Sequence, residues 1–215
     1  DEPDLSGIPV QDYDWCETVY GNVAEEIPKD YPTPLGKQVT TVTYVDANLQ
    51  HDLLTGRSVT GVLHFCNQTL IDWYSKRQAC VQTATFGSEF VAARIAVDHI
   101  MDLRNTLRYL GVPINTMSYM FGDNQAVVTN STIPHSCLSK RHSALSYHRV
   151  REAIAAKVLT FFWINGKKNP ADIVSKHWAY PQVWHLLQPI LFYSGDTASL
   201  LDQGDGKEQQ EDSKN

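Results

Sequence analysis

Between residues 38 and 76 the chain alternates β-branched or aromatic residues with polar ones in three runs: QVTTVTYVDA, SVTGVLHFCN and TLIDWYSK. A polar turn through Thr55-Gly56 and a tight one at Asn67-Gln68 separate them, a pattern that predicts a three-stranded meander with the first strand ending at Asp46. From Ser88 the period changes. Val91, Ile95, Ile100, Leu103, Leu107 and Leu110 recur at helical spacing, and Gly111 with Pro113 ends the pattern, so a long helix is predicted with Glu89 in its first turn. TMSYMFGD predicts a fourth strand closing at Asp123, with a short helix from Asn124. LSKRHSALSYHRVREAIAAK predicts a second long helix and VLTFFWIN a fifth strand. Asn169-Pro170 opens a helix containing Asp172, and a last helix follows Tyr180-Pro181. The order β-β-β-α-β-α-α-β-α implies an α/β domain with a mixed sheet and helices packed on it.

Ahead of this block, residues 1–40 are rich in proline and acid and show no sustained period, which predicts an extended arm pinned to the core by Tyr13, Trp15 and Tyr20. The domain is expected over residues 41–180, a C-terminal helix over 181–195, and a disordered acidic tail over 196–215. With 215 residues, 42% of them hydrophobic, one core is the expectation. No run approaches the roughly 18 apolar residues of a membrane span, and no secretion signal opens the sequence. An intracellular place without membrane contact, such as the cytoplasm, is therefore expected. The four cysteines lie far apart without a C-x-x-C pair, which predicts reduced thiols, some of them buried, rather than a zinc site or a disulfide framework.

The net charge of -6 argues against nucleic acid until its distribution is considered. Residues 1–40 carry nine acids against Lys29 and Lys37, and residues 196–215 carry six against Lys207 and Lys214. The stretch 41–195 keeps fourteen basic residues against nine acids, so the domain itself is basic, as a surface tracking phosphates is.

Four of those nine acids sit at comparable places: Asp46 and Asp123 close strands, and Glu89 and Asp172 begin helices. Each alone reads as a cap, a dipole partner or a turn residue. Together, at the ends of elements that converge on one crevice of an α/β sheet, they make a cluster of oxygen ligands suited to Mg²⁺ or Mn²⁺. Two such ions can serve an in-line phosphoryl displacement.

The succession YVDANLQHDLLTGRSVTGVLHF, LIDWYSKRQACVQTATFGSEFVAA, FGDNQAVV, KRHSALSYHRVRE and NPADIVSKH resembles the ribonuclease H region of copia-type LTR retrotransposon polyproteins over about residues 41–180. The resemblance implies an RNase H-like fold, a five-stranded mixed sheet of three antiparallel strands and then two parallel ones, flanked by helices. It implies Asp46, Glu89, Asp123 and Asp172 as the catalytic and metal-binding acids for two Mg²⁺ ions, with Mn²⁺ as a substitute. It also implies an RNA–DNA hybrid as substrate and the reverse transcriptase portion of the same polyprotein as partner. Glu89 fits the motif E-F-V-A-A, in which the alanine three residues on packs against the sheet. Related sequences often carry another acid at the place of Gly87. The loop before the last aspartate, NGKKN, lacks the histidine of cellular and retroviral ribonucleases H.

Lys76, Arg77 and Gln78, leaving the third strand, suit phosphate and sugar contacts. Asn124 and Gln125 suit minor-groove edges or 2′-hydroxyls, though both also suit a first helical turn. Lys140, Arg141 and His142 resemble the family's basic-histidine motif, beside the plainer reading of a charged helix start. His148 and Glu152, spaced i, i+4, predict a helix-surface hydrogen bond. Trp73, Trp163, Trp178 and Trp184 are expected in packing rather than as base-stacking platforms. The expected activity is hydrolysis of the RNA strand of a hybrid during reverse transcription, leaving 3′-hydroxyl and 5′-phosphate ends, with Asp46 and Asp123 most central. The alternative is an RNase H-fold module that binds or self-assembles with weak or no cleavage.

Overall fold

The computed structural model describes residue 7 and residues 13–138 and 141–191. The predicted disordered tail, Lys140 and most of the first twelve residues lie outside them. The chain divides into two compact units, Asp1–His177 and Trp178–Asn215.

In the first unit β1 (Thr41–Asp52), β2 (Arg57–Cys66) and β3 (Thr69–Val81) form an antiparallel meander, and β4 (Ser118–Gly122) and β5 (Leu159–Trp163) extend it in parallel. The sheet order is β3-β2-β1-β4-β5. The helices are α1 (Thr85–Tyr109), α2 (Gln125–Thr132), α3 (Ala144–Ala155) and the single-turn α4 (Asp172–Ser175). In the second unit α5 (Tyr180–Leu191) carries Pro189 in its last turn, where the ring supplies no amide for the carbonyl four residues back, and Tyr180 rests on Trp184 with ring centroids 5.1 Å apart.

Several predicted boundaries shift, three of them for a clear local reason. β1 does not end at Asp46: the parallel pairing with β4 stops at Val45↔Gly122, while the hairpin with β2 continues to Asp52↔Arg57 through a register shift after Asn48. α1 begins at Thr85, so Glu89 lies in its second turn. The predicted helix from Leu138 is a short 3₁₀ turn, Arg141–Ser143, followed by α3.

The buried stripe of α1 also differs from the expected one. Phe90, Ala92, Ala93, Ala96, Val97 and Ile100 are inside, while Val91, Ile95, Leu103 and Leu107 are only half-buried. Alanines let the helix lie close against Val45, Ala47, Val62 and Met120, and larger side chains flank the contact. The alanine of the E-F-V-A-A motif, Ala92, is fully buried in this core. On the other sheet face Tyr44, Phe121 and Phe162 stack in succession, with centroids 5.3 and 5.7 Å apart. The tryptophan expectation holds for Trp184, half-buried against Tyr180, and fails for the other three. Trp73, on the edge strand β3, is 65% exposed, Trp163, ending the edge strand β5, is 50% exposed, and Trp178 is also exposed. The four cysteines are free thiols, three exposed and Cys66 half-buried, so the expectation that some are buried fails too.

The arm wraps the helices through charged and aromatic anchors. Trp15 and Tyr20 are buried and Tyr13 is exposed. The Arg151 guanidinium lies 4.8 Å from the centroid of the Trp15 ring and 5.4 Å from that of Tyr20, and donates to the carbonyls of Asn130, Ile133 and Pro134. The Tyr20 hydroxyl meets His148 Nδ1 at 2.6 Å, and Glu152 pairs with Arg149, which replaces the expected His148–Glu152 bond. Further along, Glu25 takes paired hydrogen bonds from both Arg104, 1% exposed, and Arg108.

Burial pushes the Glu25 carboxyl up, but the Arg108 and Arg104 guanidinia outweigh it and hold its pKa at about 2. Its stabilisation is therefore complete above the ordinary glutamate value and is lost as pH falls from about 4.5 towards 2. Glu25→Ala strands the Arg104 charge in the interior. The expected loss is about 3 kcal/mol in urea unfolding at pH 7, shrinking towards zero near pH 2.

Candidate metal centre

Asp46 is the first residue of β1 beyond the reach of β4, and Asp123 is the first residue after β4, so the end of the parallel pairing sets the two side by side. Glu89 enters from α1, its carboxylate accepting a hydrogen bond from the Ala47 backbone. Carboxylate oxygens of Asp46, Glu89 and Asp123 all lie within 4.8 Å of one another. Asp46 is 1% and Glu89 7% exposed.

Asp172 arrives by a different route. Asn169, fully buried, donates from Nδ2 to the Val45 carbonyl and accepts the Ala171 amide on Oδ1, fastening the N-P-A-D segment to β1 one residue before Asp46. α4 then packs against β2 where Gly61 pairs with Asp46. A Cβ on Gly61 would stand 2.7 Å from the Ala171 carbonyl oxygen and 2.9 Å from the Ser175 amide nitrogen, so only glycine permits this approach. The Ser175 hydroxyl donates to Asp46 Oδ2. Asp172 is not in the three-carboxylate group: its Oδ1 accepts from Lys176 Nζ, which is also 3.4 Å from Asp46 Oδ2.

Lys176, Ser175 and Trp163 are contributors that the sequence reading missed. Lys176 follows Asp172 at the i, i+4 spacing of a helical ion pair, a signal present in N-P-A-D-I-V-S-K. Trp163 donates from Nε1 to the Asp123 carbonyl at 2.9 Å, so its exposed ring stands beside the site. Nothing in the sequence marks that contact, because it joins two strands.

The electrostatics follow from crowding. Burial, opposed by Lys176 and Ser175 and reinforced by Asp123 and Asp172, raises the Asp46 pKa to about 6. Burial and the Asp46 and Asp123 charges push Glu89 well above its ordinary value, and burial with Asp172 raises Asp123. The Lys176 ammonium is held protonated: burial disfavours its charge, but Asp46, Asp172 and Asp123 outweigh it. Three converging carboxylate oxygens with one nearby ammonium suit a hard divalent cation.

The expected nucleic-acid contacts divide. Lys76 and Arg77 are exposed within β3, which continues past them to Val81, and Arg77 pairs with Asp52. Gln78 is 2% exposed and donates to Thr60 Oγ1 and the Ser88 carbonyl; strand alternation turns it inward, so it braces β2 against α1 and is not a surface contact. Asn124 caps α2 by accepting the Val127 amide, and Gln125 is exposed. Arg141 and His142 are exposed on the 3₁₀ turn, and Lys140 lies outside the described residues. A groove of about 930 Å³ runs beside the site, lined among others by His51, Leu54, Trp73, Lys76, Arg77 and Lys176. The loop before Asp172 is capped by Asn165, and a Cβ on Gly166 would lie 3.0 Å from Asp123 Oδ2.

The sheet order and the carboxylates at the end of its parallel pairing define an RNase H-like domain. In agreement, the N-terminal RNase H domain of a Mycobacterium tuberculosis protein, solved fused to maltose-binding protein, superposes with a TM-score of 0.50. It is 14% identical, over 70% of this chain and 98% of that one. LC11-RNase H1 in complex with RNA/DNA hybrid superposes at 0.48, 13% identical, over 60% and 88% of the two chains. No protein-family model matches. A stretch of 134 residues, 62% of the chain, is 29% identical to the retrovirus-related Pol polyprotein from transposon TNT 1-94 of Nicotiana tabacum and spans 10% of that polyprotein. The fold is thus RNase H-like, and the sequence is similar to one part of a retrotransposon Pol polyprotein.

Two outcomes are expected. Between about pH 4 and 6 the folded cluster holds more protons than the unfolded chain, so in chelator the melting temperature falls as pH rises through that window, and Glu89→Gln flattens the fall. Gly61→Ala must push α4 away from β2. It is expected to cost about 1–3 kcal/mol and to weaken Mn²⁺ binding, measured by thermal melts and calorimetry.

Proposed function

We propose that the chain is a metal-dependent ribonuclease H, cutting the RNA strand of RNA–DNA hybrids made during reverse transcription. The observation that carries this reading is the convergence of Asp46, Glu89 and Asp123 within 4.8 Å, with Asp172 across Lys176, on an RNase H-like sheet. Asp46, Glu89, Asp123 and Asp172 are the metal-binding acids of this proposal, for Mg²⁺ or Mn²⁺. Two bound ions would activate a water and offset charge on the leaving oxygen, the chemistry that divalent cations supply in phosphodiester hydrolysis. In the reaction the water oxygen bonds to phosphorus as the bond to the RNA 3′-oxygen breaks, leaving a 3′-hydroxyl and a 5′-phosphate.

The chain's own residues set the stage for that step. Ser175 and the Ala47 amide fix the directions of the Asp46 and Glu89 carboxylates, so the ligand set is oriented before a substrate arrives. Trp163 holds the Asp123 backbone. The groove offers cations at Lys76 and Arg77 for phosphates and the exposed Trp73 ring for a sugar or base. Asn124 is engaged in its cap, which leaves Gln125, Arg141 and His142 as the exposed side chains of the other two motifs. Residues 41–180 form the catalytic domain in this reading, with the reverse transcriptase portion of a Pol polyprotein as its partner. Among the described residues no helix is long and apolar enough to cross a membrane.

The test is cleavage of a strand-labelled hybrid by the full chain with Mg²⁺ or Mn²⁺. The unmodified chain is expected to cut the RNA strand, and Asp123→Asn to lower the rate at least about 100-fold, in line with weakening the hold on an ion that offsets developing charge. Absence of metal-dependent cutting across ion concentrations sinks the enzymatic reading and favours a binding module. Equal cutting by both proteins means that the site is wrong.

A further inference from the structure

Lys176 is out of place as a surface lysine. Its ammonium bonds to Asp172 Oδ1 and lies 3.4 Å from Asp46 Oδ2, between the one carboxylate excluded from the convergent group and the most buried member of it. Its side chain is 31% exposed, and it also lines the groove that runs past Lys76 and Arg77. One cationic atom thus sits where the Asp46–Asp172 side of the cluster would otherwise gather a divalent cation, since both need the same oxygens.

The structure assigns Lys176 the role of a built-in counter-ion that competes with the second divalent cation for Asp46 and Asp172. Asp46, Glu89 and Asp123 take one ion freely. The Asp46–Asp172 side accepts another only after the ammonium leaves those oxygens. The groove gives it a destination: a phosphate lying near Lys76 and Arg77 attracts the Lys176 ammonium as it attracts theirs, so substrate loading and release of Asp172 are coupled. Lys176 is a positioning residue in this account and donates nothing to the reacting atoms. The inference rests on the metal-dependent reading above and adds an order to it, in which the second ion follows the substrate.

The geometry supplies the contrast for a test. An ammonium and a divalent cation on shared carboxylates repel at short range, so removing the lysine charge strengthens both sites, and most of all the one that uses Asp172, whose Oδ1 is bonded to the ammonium. The experiment is Mn²⁺ titration of the full chain without nucleic acid, read by calorimetry and by the electron paramagnetic resonance of free Mn²⁺. Unmodified protein, Lys176→Met, Lys176→Gln and the double variant Lys176→Met with Asp172→Asn are compared, with folding checked by circular dichroism. The expected result is one tight ion for unmodified protein, with a second bound at least about tenfold more tightly once Lys176 is neutral. That gain disappears in the double variant. Lys176→Gln keeps a donor for Asp172 without the charge and covers the case in which Lys176→Met does not fold.

A second readout separates this role from a purely structural one. Without metal, Lys176→Gln is expected to melt below the unmodified chain, because three raised carboxylates lose their cation, and Mn²⁺ restores it. Equal second-ion affinity with and without the lysine charge overturns the inference while the first ion and hybrid cleavage still support the metal-dependent reading. Absence of tight Mn²⁺ in every variant overturns both.

Discussion

Mutual repulsion among buried carboxylates is the constraint from which the rest of this structure follows. Water would screen Asp46, Glu89 and Asp123 from one another, but two of them are almost fully covered, and their proton affinities rise accordingly. A fold that holds them together must do so with elements rigid enough to resist their separation. The central strand β1, paired on both sides, meets that need, and α1 is packed to it through alanines that leave no slack.

Every unusual local feature near the site serves that convergence. The parallel pairing ends at Val45↔Gly122, so Asp46 and Asp123 emerge together where one strand stops and the other continues. Gly61 removes the side chain that would hold α4 away, and Asn169 replaces a sheet hydrogen bond by reaching the Val45 carbonyl. The arm contributes at a distance. Glu25 neutralises the buried Arg104, whose guanidinium also holds the Asn115 and Thr116 carbonyls just before β4 begins. The arm is thus part of the support for the strand that delivers Asp123.

The succession of strands and helices was legible because period-2 and period-3.6 patterns reflect faces that must be buried, and the five strands read from those patterns are all present. Four acids could be chosen because each lay at the end of a recognisable run. What escaped was information that lives between elements. Asp46 looked terminal because the sequence cannot show which neighbouring strand stops first. Gln78 looked like part of a basic turn because β3 runs on to Val81, and its inward face depends on a register that no single strand encodes. The tryptophans at positions 73 and 163 looked like core residues because hydrophobicity cannot distinguish a central strand from an edge.

Charge bookkeeping along the chain also takes a different meaning in three dimensions. The basic excess of residues 41–195 is not spread evenly, since Arg104, Arg108 and Arg151 are turned inward to bind the arm and loop carbonyls. Among the described residues, cations that do face solvent include Arg57 on β2, Lys76 and Arg77 on β3, Arg141 before α3, and Lys167 and Lys168 on the loop whose Gly166 lies against Asp123. A Cβ at Gly166 would press on Asp123 Oδ2 at 3.0 Å, and the lysines of that loop stand at the next two positions, outside the carboxylate cluster. The cation inside the cluster is Lys176. Charge that the loop can offer only from outside is supplied from within by the residue that follows α4.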